Sequence, residues 1–426
     1  MTPWLAVFSS RRMAATLLLG FASGLPLALT SGTLQAWMTV EGLDLKTIGF
    51  MTLVGQAYVF KFLWSPLLDR YPLPAAGRWF GRRRGWLIAF QLALAAALGA
   101  MALFEPRNSL GALAALAVLV AFLSASQDIV YDAWRTDALL PAERGAGAAL
   151  NVTGYRLAML VSGGLALWLA DAWLGFRGTY ALMALLMLAG VAGTLLAPEP
   201  QGSVAAAPRS LAEAVVGPMR AFFGRPWAVG FLLLIVLYKL GDAFAGALTT
   251  TFLIRGVGFS AGEVGLVNKS FGLLATIVGA LAGGALMARL GLWRSLFLFG
   301  VAQMVSNLAY WALAVLPRDL ATMAGAVAIE NLCGGLGTAA FVALLTALCD
   351  RRFSATQYAL LSALSAVGRV YVGPASGYLV EAIGWDSFFL STVAIAVPGL
   401  GLLALMRGRV QRLEDSPASS DVGPVS

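Results

Sequence analysis

Nine ionisable side chains stand out inside stretches of this chain that are otherwise apolar enough to sit in hydrocarbon, leaving aside Glu263 at the very start of one: Lys61, Asp128, Asp132, Arg156, Lys239, Asp242, Lys269, Glu330 and Arg369. A charge at the centre of a bilayer costs roughly 2.5–3.5 kcal/mol even on lenient insertion scales, so each is paired, sheltered or used. Asp128 and Asp132, four residues apart, share one helical face with Gln127 and Tyr131 beside them. Two carboxylates that close raise one another's affinity for protons, which makes a site able to load and release one. The other reading of Asp132 is a hydrated residue near a helix end, bonded to Arg135 one turn on. The chain has no histidine, so proton chemistry falls to carboxylates. Asp128, Asp132, Asp242 and Glu330 are the candidates for proton coupling.

Among the cations, Lys239 can neutralise Asp242 at i, i+3, and Arg369 can pair with Glu330 across neighbouring helices. Lys61, one to two turns from the end of its helix, either snorkels to the surface or faces inward. Arg156 and Lys269 have no acidic neighbour on their own helices, which makes them the better candidates for binding negative charge. Once the carboxylates are paired or protonated the lining is cationic, which favours an anionic solute. Gln35, Gln56, Tyr58, Gln127, Asn151, Tyr155, Asn268 and Asn331 supply amides and aromatic faces. These suit sugar rings and peptide groups, or else simply pack. With Arg156, Lys239, Lys269 and Arg369 they form the candidate substrate-binding set.

Positioning such residues takes membrane helices. The 426 residues are 59% hydrophobic and 12% charged, with a mean hydropathy of +0.81, against about a quarter charged in a soluble domain. Apolar runs predict twelve spans, at about 13–38, 47–66, 86–104, 110–134, 148–170, 178–197, 227–253, 262–288, 295–315, 320–348, 356–380 and 387–406. Each is long enough to cross ~30 Å of hydrocarbon as helix. The first is too long for a signal-peptide core and lacks a small-residue cleavage motif, so it is read as a retained helix. With the N-terminus inside, only Lys46, Arg107, Arg177, Arg255 and Arg318 of the 29 Lys and Arg residues fall in outside loops. That asymmetry predicts two cytoplasmic termini.

The predicted organisation is an N-terminal six-helix bundle over 1–197, then a cytoplasmic linker over 198–226 with a short interfacial helix near 211–216. A C-terminal six-helix bundle over 227–406 and a disordered tail over 407–426 complete it. The nine ionisable residues occupy spans 2, 4, 5, 7, 8, 10 and 11, while spans 3, 6, 9 and 12 carry none. The spacings Gly20-x-x-x-Gly24, Gly279-x-x-x-Gly283 and Gly373-x-x-x-Gly377 predict close helix approach. Cys333 and Cys349 lie on one predicted helix, roughly 24 Å apart, too far for a disulfide. No metal-ligand set, cofactor motif or catalytic constellation is present, which argues against an enzyme, and no repeated filter suggests a channel. The basic clusters sit in short loops, so no nucleic-acid partner is expected.

Leu68-Asp69-Arg70 with Gly81-Arg82-Arg83-Arg84-Gly85, and later Gly284 through Arg294, resemble the loop signature of the major facilitator superfamily. The first copy has Ser65 for the leading glycine and an insertion from Tyr71 to Phe80; the second lacks the acidic residue. This resemblance implies an all-α membrane protein of twelve helices in two six-helix bundles, with spans 3, 6, 9 and 12 as outer supports. Asp69, Arg70, Arg82 and Arg83, together with Arg135 and Asp137, become candidate gating residues.

A narrower resemblance, to the AmpG-type muropeptide permeases within that superfamily, runs from about residue 11 to 406. It is carried by Gly20-Phe21-Ala22-Ser23-Gly24-Leu25-Pro26, Gly55-Gln56-Ala57-Tyr58, Lys61-Phe62-Leu63-Trp64-Ser65-Pro66 and the segment from Ser126 to Asp137. The second half adds Lys239-Leu240-Gly241-Asp242, Glu330-Asn331-Leu332, Gly337-Thr338-Ala339-Ala340-Phe341, Ser354-Ala355-Thr356-Gln357-Tyr358 and Gly368-Arg369. The resemblance implies proton-coupled import of N-acetylglucosaminyl-1,6-anhydro-N-acetylmuramyl peptides from periplasm to cytoplasm. It places this monomer in the bacterial inner membrane, serving peptidoglycan recycling and beta-lactamase induction, hence antibiotic resistance. Acetyl-coenzyme A transporters form a related branch, so transport of another bulky anion, or export of anions or drugs, stays open as an alternative.

Overall fold

The computed structural model describes residues 10–73, 79–140, 143–199, 219–220, 222–349 and 354–414, and all regular structure among them is helical. The chain divides into two units. The first comprises Met1–Asp44, Met51–Leu211 and Phe259–Ser270; the second comprises Leu45–Phe50, Ala212–Gly258 and Phe271–Ser426. Two short segments therefore belong to the unit that their sequence neighbours do not. The interfacial helix predicted near 211–216 lies outside the described residues.

Nine helices among the described residues are long and apolar enough to cross a membrane. Two of these, Ala146–Leu196 with 51 residues and Leu360–Leu405 with 46, would run to about 70 Å or more if straight, over twice a hydrocarbon core. Each instead reverses at a glycine of positive φ, Gly175 at 62° and Gly384 at 78°, a conformation that a Cβ disfavours. Spans 5 and 6, and spans 11 and 12, are thus resolved at these turns. The second predicted span is a broken run: helices Leu45–Phe50, Gln56–Phe60 and Ser65–Arg70 joined by 3₁₀ turns at Met51–Gly55 and Lys61–Leu63. Pro66 restarts the helix in its first turn, where the missing N–H costs nothing.

Among the described residues the six positive-φ glycines fall in pairs, Gly42 with Gly258, Gly81 with Gly291 and Gly175 with Gly384, each pair separated by roughly 210 residues, as an internal repeat requires. They precede or open spans 2 and 8, 3 and 9, and 6 and 12.

All three small-residue spacings mark backbone contacts. In the first unit, a Cβ on Gly20 would meet the Asn151 carbonyl at 2.8 Å, and one on Gly24 the Tyr155 carbonyl at 2.7 Å. Helix Arg11–Leu29 therefore packs directly on Arg144–Met159. In the second unit, Gly279 and Gly283 abut Leu332 and Leu336, and Gly373 and Gly377 abut Gly49 and Leu45. Helix Leu320–Ala347 begins at Asp319, whose carboxylate accepts from Thr322 N at 2.8 Å. Those bonds hold its carboxyl below the usual range. The cap is intact above the ordinary carboxylate pKa and is lost as pH falls through the lowered value.

Polar composition predicts disorder from Arg407 onward, yet Arg407–Glu414 is a helix. Val410 is fully buried in a cluster with Leu234, Leu296, Phe341, Leu403 and Met406. The Arg407 and Arg409 guanidiniums lie over Trp293 and Trp227, at 4.8 and 3.5 Å from the ring centroids. One buried valine, the half-buried Leu413 beside it and two ring contacts do what a composition count cannot register. Val410→Ala should lower stability by about 1–2 kcal/mol, read as a reduced unfolding midpoint in detergent; an unchanged midpoint would refute this anchoring.

Candidate functional site

In the first unit the Pro106–Ala138 helix is held in rotation by hydrogen bonds along one stripe. Gln127 Nε2 donates to the Ala22 carbonyl at 3.1 Å, Tyr131 Oη to that of Thr16 at 2.9 Å and Trp134 Nε1 to that of Pro198 at 2.9 Å. These residues recur at i, i+4 and i+7, so one face is fixed against backbone. Trp64 Nε1 adds a bond to Ser126 Oγ at 3.0 Å. That fixes the direction of Asp128, whose Oδ1 accepts from Ser23 Oγ at 2.6 Å. Lys61 and Tyr58 are its electrostatic neighbours, and Tyr155 adjoins Tyr58. The Tyr58 and Ser124 hydroxyls face each other there, but neither makes a well-formed hydrogen bond among the described residues, nor does the buried Gln127 Oε1. A carboxylate sheltered by one hydroxyl, with an ammonium in reach and spare polar atoms around it, can carry a proton without being locked in an ion pair. Asp132 differs: its side chain is 55% exposed and pairs with Arg135 at 3.1 Å, as in the hydrated reading.

The other first-unit candidates are distributed around this group. Gln35 is buried on Gly32–Val40, and Gln56 is half-buried. Asn151, Tyr155 and Arg156 stand on Arg144–Met159, all half-buried. Asn268 and Lys269 lie in a π-helical stretch, Gly265–Phe271, and Lys269 passes over Gly163 of another, Leu160–Leu165. Such widened turns recur where helices carry function. Among the gating candidates, Arg83 Nη2 pairs with Asp137 Oδ2 at 3.2 Å, both largely buried. Glu199 accepts from Arg83 N at 3.0 Å and Arg84 N at 3.1 Å, satisfying the start of Arg82–Met101. Arg82 is half-buried; the side chains of Asp69 and Arg70 lie outside the description.

In the second unit Lys239 Nζ is 3.5 Å from Asp242 Oδ2, 3.4 Å from Gln303 Oε1 and 3.5 Å from Thr338 Oγ1. Glu330 accepts from Tyr310 Oη at 3.3 Å, while Arg369 is exposed. The Asn331 amide is engaged by Thr276 Oγ1 at 3.0 Å and donates to the Val327 carbonyl at 2.9 Å. Ser23, Gln303 and Tyr310 escape a search for charges because they are neutral. Asp171, at a span end, accepts from Ser260 Oγ at 2.7 Å and Gly262 N at 3.1 Å within the first unit; its unpaired charge was the available signal.

A sequence profile described as Major Facilitator Superfamily matches residues 16–317. The chain belongs to this superfamily. Among curated relatives, the anhydromuropeptide permease of Escherichia coli strain K12 is 63% identical over 423 residues, covering 99% of this chain and 85% of that protein. A putative transporter, AmpG 4, of Rickettsia conorii is 34% identical over 95% of this chain and 98% of its own. Among solved structures, the peptide transporter POT aligns with a TM-score of 0.71 at 16% identity, covering 94% of this chain and 95% of that one. The D-xylose-proton symporter aligns at 0.66 and 13% identity, over 91% and 95%. These last two share the fold. This member of the superfamily is accordingly a multi-pass, all-helical membrane transporter and not an enzyme.

Within this superfamily fold, Arg83 and Asp137 form an ion pair shielded enough for its loss to be felt. Arg83→Ala, which strands the Asp137 carboxylate, should destabilise by about 2–4 kcal/mol, and adding Asp137→Asn should restore part of that. A double-mutant cycle of thermal unfolding in detergent measures the coupling; additive effects would show that the pair contributes nothing.

Proposed function

We propose that this protein is a proton-coupled importer of anhydromuropeptides, working by alternating access as a monomer in the bacterial inner membrane with both termini cytoplasmic. The observation that carries this reading is the 63% identity, over 99% of the chain, to a protein named anhydromuropeptide permease. The substrate so named is a sugar conjugate with peptide carboxylates, in keeping with the excess of cations and amides inside the spans. In this reading Asp128 takes the coupling proton, with Asp132, Asp242 and Glu330 as further candidates. Its hydroxyl partner at 2.6 Å supports the assignment, since a neutral donor stabilises the carboxylate without competing for the proton as a cation would. Arg156, Lys239, Lys269 and Arg369 bias binding toward carboxylates, with Gln35, Gln56, Tyr58, Gln127, Asn151, Tyr155, Asn268 and Asn331 as the neutral lining. Asp69, Arg70, Arg82, Arg83, Arg135 and Asp137 serve the gate.

Uptake of labelled anhydromuropeptide into vesicles should saturate and should rise with an inward proton gradient; gradient-independent background alone would sink the proposal, and competition by acetyl-coenzyme A would redirect it. Asp128→Asn should reduce gradient-driven uptake at least tenfold while Asp132→Asn keeps most of it, and equal losses would remove the special role of Asp128.

A further inference from the structure

Among the described residues the Lys239 ammonium has three oxygen partners and none is close: Asp242 Oδ2 at 3.5 Å, Gln303 Oε1 at 3.4 Å and Thr338 Oγ1 at 3.5 Å, with the Phe341 ring centroid farther off at 5.9 Å. A committed ammonium–carboxylate bond is shorter, about 2.7–2.9 Å. The charge is therefore suspended between one acceptor that would cancel it and two neutral acceptors that would not. Gln303 reaches it from the Leu292–Val315 helix through a slot on Leu320–Ala347. A Cβ on Gly337 would meet Gln303 Oε1 at 2.6 Å, and one on Gly334 would come within 3.7 Å of Nε2. Two glycines, one turn apart, thus floor the seat of this amide.

The seat is buried. Gln303 is 5% exposed, and its Nε2 has no hydrogen-bond partner among the described residues; Asn307, one turn on and 1% exposed, has neither amide atom bonded. Burying an amide with an unsatisfied donor is unfavourable, so packing gives no reason to keep Gln303 here. Its oxygen does.

We propose that Gln303, seated on Gly334 and Gly337, is a positioning residue that holds Lys239 off Asp242 and keeps its positive charge available to a carboxylate of the solute. Without the Oε1 acceptor the ammonium closes onto Asp242 and the two charges cancel. The part played by the solute rests on the proposed function; the placement of Lys239 does not.

Two measurements separate these. In vesicles, Gln303→Met, which keeps the volume but loses the strong acceptor, should raise the apparent KM for an anhydromuropeptide with free carboxylates about tenfold. The maximal rate should stay within about twofold, and the carboxyl-amidated form should be unaffected. Gly337→Ala, whose Cβ displaces Oε1, should reproduce the shift and add nothing to Gln303→Met. An equal KM change for both solutes, or a loss of maximal rate alone, would mean a merely structural role and overturn the proposal. The second measurement needs no transport. The chain has four lysines, Lys46, Lys61, Lys239 and Lys269, so reductive ¹³C-methylation gives few NMR signals, and that of Lys239 is assigned by substitution. Its shift should respond more to Asp242→Asn in the Gln303→Met background than in the wild type. An equal response overturns the positioning role whatever the solute; failure of wild-type uptake with the NMR difference intact overturns only the transport reading.

Discussion

A charge in hydrocarbon must be met by protein, and the way each one is met sorts the polar interior. Arg83–Asp137 at 3.2 Å, Arg12–Glu143 at 3.3 Å and Asp132–Arg135 at 3.1 Å are direct ion pairs. Deep in the spans neutral groups share the work: a serine hydroxyl on Asp128, a tyrosine hydroxyl on Glu330, and, beside the Asp242 carboxylate, an amide and a threonine hydroxyl on Lys239. In a low dielectric a tight ion pair satisfies itself and resists exchange, because breaking it strands a charge. A neutral donor or acceptor shelters a charge and leaves it free to take a proton or a counter-ion. The first kind of contact suits fastening, the second suits binding and release.

Sheltering by neutral groups demands close approach, and glycine makes it possible. Ser23 sits between Gly20 and Gly24, which bring its helix onto the Asn151 and Tyr155 backbone. Gln303 likewise depends on Gly334 and Gly337. Glycines of positive φ do the complementary work at the turns, and their pairing across the two halves records the repeat in backbone geometry. Side chains on the two copies have diverged, whereas a turn that excludes Cβ has few substitutes.

Hydrophobic runs made the spans legible, and the cost of buried charge made Asp128, Lys239 and Glu330 legible, because both signals are large and local. The broken second span was not, since a 3₁₀ turn and an α turn bury much the same side chains and leave similar apolar patterns. Nor was the exchange of Leu45–Phe50 and Phe259–Ser270 between units, which depends on contacts far away in sequence. The Arg407–Glu414 helix was hidden because its anchoring rests on two apolar residues, Val410 and Leu413, and on two tryptophans outside the segment. The relation of Asp128 to Ser23 was half visible: Ser23 lies in the Gly20–Pro26 stretch that resembles the muropeptide permeases, but a lone serine in a helix more often bonds its own backbone.

Neutral polar stripes deserve the same weight as charges in reading such a chain, provided their targets are known. Gln127, Tyr131 and Trp134 form one at i, i+4 and i+7; Gln303, Asn307 and Tyr310 form another with the same spacing, on a span without a single charge. From the sequence the two are equivalent, and burying either is unfavourable without partners. In the structure they diverge. The first is bonded to backbone carbonyls of Ala22, Thr16 and Pro198, groups that no proton or solute will alter, and so it fixes a helix. In the second, Gln303 and Tyr310 bond the side chains of Lys239 and Glu330, whose charge can change or be shared. A span without charge, which the superfamily resemblance implies is an outer support, therefore reaches the charged residues of its own unit through uncharged ones.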